Sequence, residues 1–104
     1  MRRNYIIEND VCKKYLEFLK EKFQSDRTIR NYLIFVNSSL VLRYIKEIAN
    51  TDSIYKIDDF NVLLRLYLAI KEDKDNIRLH RVYSSAVSKF VKFRFPDKKM
   101  RKLY

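Results

Sequence analysis

Apolar residues recur at steps of three and four along most of this chain, which is the spacing of one face of an α-helix. The longest such stretch covers residues 25–50. Its apolar stripe contains Ile29, Tyr32, Leu33, Val36, Leu40, Tyr44 and Ile48. Ser25 can accept a hydrogen bond from the first turn, and Asn50 tolerates the left-handed conformation in which helices often end. The pattern therefore predicts one long helix around which the rest of the chain packs.

Three further segments have helical spacing, and each follows residues that commonly cap helices: Asn9 or Asp10, Asp58, and Asp75 or Asn76. We predict these helices over residues 11–23, 59–72 and 76–95. Pro96 ends the last of them, because proline has no N–H and restricts the residue before it. Residues 53–57 alternate between apolar and polar, but one strand cannot form a sheet. We therefore predict an extended connector that places Ile54 and Ile57 in the core.

The composition supports a helical fold with a single domain. The 104 residues include no glycine and one proline, whereas tight β-hairpins usually need glycine at positive φ. A chain of this length can bury one core without disulfides or metals. The prediction is an all-α fold, a compact bundle of about four helices over residues 1–104, in which residues 97–104 are a short basic tail.

Residues that could support catalysis or metal binding are few. Cys12 is the only cysteine and His80 the only histidine. We interpret Cys12 as a small apolar helix residue of an intracellular, cytoplasmic protein, because a single cysteine cannot form an internal disulfide. No acid stands at metal-ligand spacing from the histidine, and no apolar run approaches the ~20 residues of a membrane span. We expect no metal, no cofactor, no membrane span and no enzymatic activity.

The positive charge of the chain is large and unevenly distributed. The formal net charge is +10, and from residue 89 to the end seven lysines and arginines accompany one acid, Asp97. Each cation placed at a phosphate releases condensed counterions, so a polarised basic surface favours a nucleic acid as partner. A solvated basic surface, an acidic protein partner and an anionic membrane are the alternatives that charge alone leaves open.

The candidate nucleic-acid-binding residues lie on the predicted second and fourth helices and on the tail. Most are cations expected at phosphates, and serine adds a neutral donor. The amide of Asn31 can pair with a base edge in the major groove. The full set is Arg27, Arg30, Asn31, Arg78, Arg81, Ser85, Lys89, Lys92, Lys98, Lys99, Arg101 and Lys102.

Two helical patterns are joined by a short turn in residues 15–45: an aromatic and leucine stripe, then a helix that opens with Ser-x-x-Thr-Ile-x-x-Tyr. The residues that form them are Tyr15, Phe18, Leu19, Ser25, Thr28, Ile29, Tyr32, Leu40, Arg43, Tyr44 and Ile45. These patterns resemble the core-binding domain of tyrosine recombinases and phage integrases. The later stretch YSSAVSKFVKF is similar to the final helix of such domains, so the resemblance covers about residues 11–93. Where the family usually has Gly-Leu before the serine, this chain has Phe23 and Gln24.

The resemblance implies a SAM-like helical domain that clamps one face of a DNA duplex, with helices directed towards the major groove. In recombinases this domain works beside a separate catalytic domain, whose arginine, histidine and tyrosine constellation has no counterpart here. We therefore expect a non-catalytic DNA-binding module that contacts duplex phosphates. The sequence does not by itself distinguish DNA from RNA.

Two other functions are compatible with the sequence. One is a small phage or mobile-element protein that binds and modulates a host or viral protein such as a nuclease. The other is a structural module whose C-terminal aromatic residues cover a neighbouring copy. The oligomeric state is left open by the sequence.

Overall fold

The computed structural model describes residues 9–98, and every element of regular secondary structure in that range is helical. Its six α-helices are α1 (Asp10–Lys22), α2 (Asp26–Val36), α3 (Ser39–Ala49), α4 (Phe60–Lys71), α5 (Lys74–Arg78) and α6 (Val82–Arg94). The predicted all-α fold is confirmed, but six helices are present where about four were expected. No helix in the described range is both long enough and apolar enough to cross a membrane.

Two of the six helix starts in the described range coincide with predicted capping residues. The side chain of Asn9 accepts from the N–H of Cys12 at 2.9 Å, which begins α1. The hydroxyl of Ser25 accepts from the N–H of Thr28 at 3.3 Å, which begins α2. The predicted cap of the third helix is wrong by one residue, since it is Asp59 whose carboxylate accepts from the first turn of α4. The predicted cap at Asp75 or Asn76 is wrong, since Asp73 caps α5.

The single long helix predicted from the apolar stripe is broken into α2 and α3. Asn37 donates from Nδ2 to the carbonyl of Leu33 at 2.9 Å, and Ser38 donates from Oγ to the carbonyl of Phe35 at 2.7 Å. The Ser38 hydroxyl also accepts from the N–H of Val41 at 3.4 Å and so caps α3. These side chains offer the backbone an alternative to the helical ladder, and the helix ends there. The spacing of apolar residues does not indicate this break, because α2 and α3 both pack their apolar faces against the core.

The predicted fourth helix is also wrong as a single element, since a break separates α5 from α6. His80 and Arg81 both have φ of 62°, in the left-handed region. The cap of α6 comes from the buried Asn76, whose Oδ1 accepts from the N–H groups of Tyr83 (3.0 Å) and Ser84 (3.1 Å). Its Nδ2 donates to the Ser84 hydroxyl at 3.0 Å. Asn76 thus caps α6 from outside the helix, since the N-cap residue Arg81 provides no side-chain cap.

The connector between α3 and α4 forms a 3-10 turn, Ile54–Lys56, and the extended conformation predicted for it is wrong. The hydroxyl of Ser53 accepts from the N–H of Tyr55 at 3.1 Å, which tightens the chain into a turn. Ile54 and Ile57 are buried as predicted.

The core is built around an aromatic cluster that anchors α6. Tyr15 of α1 is fully buried, and its ring centre lies 5.0 Å from that of Phe90 and 5.1 Å from that of Phe93. The Phe90 ring meets it edge-on at 84°, a favourable arrangement for two aromatic rings. Because α6 also packs against α2 and α4, its inner face is held from three sides. Its outer face is left for other contacts.

We predict that replacing Tyr15 with phenylalanine raises the free energy of unfolding by about 1 kcal/mol. The Tyr15 hydroxyl is buried without a hydrogen-bond partner among residues 9–98, so its removal relieves a desolvation cost and keeps the ring contacts. Burial also raises the pKa of Tyr15 well above its ordinary value. Urea denaturation followed by circular dichroism measures the change.

The matched control is Tyr44→Phe. The Tyr44 hydroxyl donates to the carboxylate of Asp73 at 2.6 Å, so this variant should lose about 1–2 kcal/mol. A loss of similar size in Tyr15→Phe would show that the buried hydroxyl has a partner after all.

Candidate nucleic-acid interface

One face of α6 concentrates positive charge. Its buried side consists of small and apolar residues, Ser84, Ala86, Val87, Phe90 and Val91. Helical spacing therefore leaves Ser85, Lys89 and Lys92 on another side, in line with Arg81 at the N-cap. Residues 76–96 contain no aspartate or glutamate. Within the described range no carboxylate forms an ion pair with Arg81, Lys89 or Lys92. We call the side bearing Arg81, Ser85, Lys89 and Lys92 the basic face of α6.

A cleft of about 300 Å³ opens along the basic face, where α6 meets α2 and α4. It is lined by Tyr32 of α2, Tyr67 and Lys71 of α4, and Arg81, Ser84, Ser85, Ser88, Lys89 and Lys92 of α6 and its cap. The lining thus includes four cations, three hydroxyl groups of serine and two tyrosines, without a carboxylate. Every charged group at this cleft favours an anion.

Lys89 is a partly buried cation of the cleft. Burial lowers the pKa of Lys89, and the positive charges of Lys92 and Lys22 lower it further. Its Nζ lies 5.5 Å from the ring centre of Phe23, which supplies a cation–π contact. The lowered pKa means that the protein disfavours the charged form of Lys89. An anion bound in the cleft would reverse that preference, because an opposite charge stabilises the ammonium.

The walls of the cleft are fixed by contacts between helices. The ring of Tyr32 stacks on that of Phe23, with centres 5.2 Å apart and planes at 24°. Phe23 therefore contacts both Tyr32 and Lys89, which ties the α2 wall to the α6 wall. At the other end a guanidinium nitrogen of Arg81 donates to the carbonyl of Lys71 at 3.5 Å. Arg81 lies at the break and has a left-handed backbone, so its contact with Lys71 joins the break to α4.

Asp73, the second of the two acids that follow Lys71 in the chain, forms side-chain contacts with α3. Asp73 caps α5 and accepts from the Tyr44 hydroxyl at 2.6 Å and from Arg43 at 3.3 Å. The hydrogen bond from Tyr44 is the main cause that lowers the pKa of Asp73, and it raises the pKa of Tyr44. Asp73 therefore binds α3 rather than the cations of the cleft.

The structure brings together four of the residues proposed from sequence, namely those of the basic face. Five others that the structure describes are placed elsewhere. Arg78 pairs with Asp75 at 3.1 Å, and Lys98 has its Nζ 5.6 Å from the ring centre of Phe60. Three exposed residues of α2 lie outside the lining of the cleft: Arg27, Arg30 and Asn31. Three members of the proposed set lie outside the described residues: Lys99, Arg101 and Lys102.

The sequence-based set omitted the wall opposite α6. Tyr32 of α2 belongs to the apolar stripe of residues 25–50, and Tyr67 and Lys71 belong to α4, but all three line the cleft. One signal was present, since Tyr67 and Lys71 are four residues apart and share a face of α4. No sequence pattern near Tyr67 and Lys71 indicates that this face of α4 packs against α6.

Throughout residues 9–98, no group of three or more His, Cys, Asp or Glu side chains could hold a metal ion. His80 is exposed beside the break and is absent from the cleft lining.

Comparison with known proteins leaves the structure of the site as the basis for assigning a function. No protein-family model matches this chain, and neither a curated protein nor a solved structure is similar enough to match.

Proposed function

We propose that this protein is a non-catalytic module that binds duplex DNA, with the basic face of α6 as its main contact surface. The observation that carries the proposal is the cluster of Arg81, Lys89 and Lys92 along α6, none of which forms an ion pair with a carboxylate within residues 9–98. Such a cluster attracts a polyanion and releases counterions when phosphates bind.

The dimensions of the basic face suit a phosphate chain. Arg81 and Lys92 are separated by eleven residues, which corresponds to about 16 Å along a helix axis. One DNA strand presents a phosphate roughly every 3.4 Å of duplex axis, so several phosphates lie within reach of the basic face. Ser85 lies between the cations and can donate to a phosphate oxygen without adding charge.

The resemblance to the core-binding domains of tyrosine recombinases and phage integrases supports duplex DNA in particular. Its Ser-x-x-Thr pattern acts here as the cap of α2, where Ser25 accepts from the N–H of Thr28. We propose a SAM-like, integrase-like arrangement in which α6 lies along the DNA backbone and α2 adds Arg27, Arg30 and Asn31. The tail cations Lys99, Arg101 and Lys102, proposed for the same role from the sequence, lie outside the described residues.

The proposal predicts strongly salt-dependent binding to duplex DNA. Four phosphate contacts would lower the affinity by about two orders of magnitude between 50 and 200 mM salt. Fluorescence anisotropy with a labelled 20-base-pair duplex measures this, and single-stranded DNA and duplex RNA of the same sequence serve as comparisons. Absence of duplex binding at 50 mM salt, or an affinity that does not change with salt, would rule the proposal out.

A further inference from the structure

The cleft beside the basic face differs from a surface that only follows a phosphate backbone. Its volume of about 300 Å³ lies at the lower end of the range typical of small-molecule sites. A duplex cannot enter a space of that size, whereas a single nucleotide can.

The two walls of the cleft have different chemistry. The α6 wall offers cations and hydroxyl donors in a continuous row, at Arg81, Ser85, Ser88 and Lys92. The opposite wall carries Tyr32 and Tyr67, both only partly buried. Charged donors bind phosphate oxygens, and aromatic rings stack on bases of any sequence.

We propose that the cleft binds one nucleoside monophosphate unit, with its phosphate on the α6 wall and its base against the tyrosines. This inference rests on the proposed function and deepens it, because the residues of the basic face also line the cleft. The crowding of Lys89 by Lys92 and Lys22 supports it, because a phosphate dianion would offset that repulsion. The unit can come from a free nucleotide or from the phosphorylated end of a strand, and both present the same groups.

Titration of the wild-type protein with thymidine 5′-monophosphate tests the proposal, with inorganic phosphate and thymidine as separate arms. Isothermal calorimetry and amide chemical shifts measure binding. We expect the monophosphate to bind at least about tenfold more tightly than either part, with the largest shifts around Tyr67 and Ser88. Equal affinity for monophosphate and inorganic phosphate would overturn the proposal, as would no binding of any probe at millimolar concentration.

A pair of matched variants tests the role of the aromatic wall. Tyr67→Leu removes a ring from the cleft, whereas Tyr83→Leu removes a partly buried ring that is absent from the lining and contacts Phe35. We expect at least about a tenfold loss of monophosphate affinity in the first and less than a twofold loss in the second. Equal losses, at comparable melting temperatures, would contradict the assignment.

The source of the nucleotide is decided by comparing a duplex that has a frayed 5′-phosphate end with the same duplex bearing a 5′-hydroxyl. Tighter binding of the phosphorylated end identifies a strand end as the ligand, and equal binding identifies a free nucleotide. The monophosphate titration contains no duplex, so this site can fail while duplex binding holds, and the reverse.

Discussion

Reversing the charge of Lys89 and Lys92 together, as Lys89→Glu and Lys92→Glu, is expected to weaken binding to duplex DNA about 100-fold or more at 50 mM salt. Two phosphate contacts are lost, and two carboxylates are placed where phosphates would lie. Both residues line the cleft and neither pairs with an acid within residues 9–98. Fluorescence anisotropy with a labelled duplex measures the change.

A control with the same change of net charge separates local contact from overall attraction. Lys13 and Lys14 are exposed on α1 and do not line the cleft, so Lys13→Glu with Lys14→Glu should weaken binding by less than about tenfold. Circular dichroism confirms that both double variants fold. Equal losses in the two would mean that net charge, rather than the basic face of α6, accounts for binding.

Replacing Asn76 with alanine is expected to lower the free energy of unfolding by about 3 kcal/mol. Asn76 is completely buried, and its side chain satisfies two N–H groups at the start of α6 and the hydroxyl of Ser84. Alanine fills none of these roles, so the variant loses a helix cap and leaves buried donors unpaired. Urea denaturation measures the loss.

The control for this second prediction is Asn61→Ala, at an exposed position of α4. It should change the free energy of unfolding by no more than about 0.5 kcal/mol. A small effect at Asn76 as well would show that α6 does not depend on this cap. Because Asn76 caps α6 at the break, it also positions Arg81, the first residue of the basic face.

The helical nature of the fold could be predicted because it depends on local patterns. Apolar spacing of three and four identified the inner faces, and the lack of glycine disfavoured hairpins. The burial of Ile54 and Ile57 also followed from the sequence alone, and it is confirmed. Each of these inferences uses residues close together in the chain.

The helix breaks could not be predicted with the same ease. Ser38 stands inside an uninterrupted apolar stripe, and only its hydrogen bonds to Phe35 and Val41 show that it ends one helix and begins the next. Asn76 caps a helix that starts six residues later, which no local capping motif describes.

Of the two walls of the cleft, only the α6 wall could be predicted from the sequence. Arg81, Ser85, Lys89 and Lys92 share a helical face, so their spacing in the sequence identifies the basic face. The opposite wall depends on α2 and α4 packing against α6, and that packing brings together residues far apart in the chain. For this reason the sequence alone does not identify Tyr67 as a residue of the cleft.

The salt dependence of duplex binding, compared between wild type and the two charge-reversal variants, tests the central claim most directly. If the basic face of α6 holds the phosphates, the slope of log affinity against log salt falls by about two in the Lys89→Glu, Lys92→Glu variant and stays unchanged in the Lys13→Glu, Lys14→Glu variant. An unchanged slope in the α6 variant, or an equal fall in both, would contradict the account.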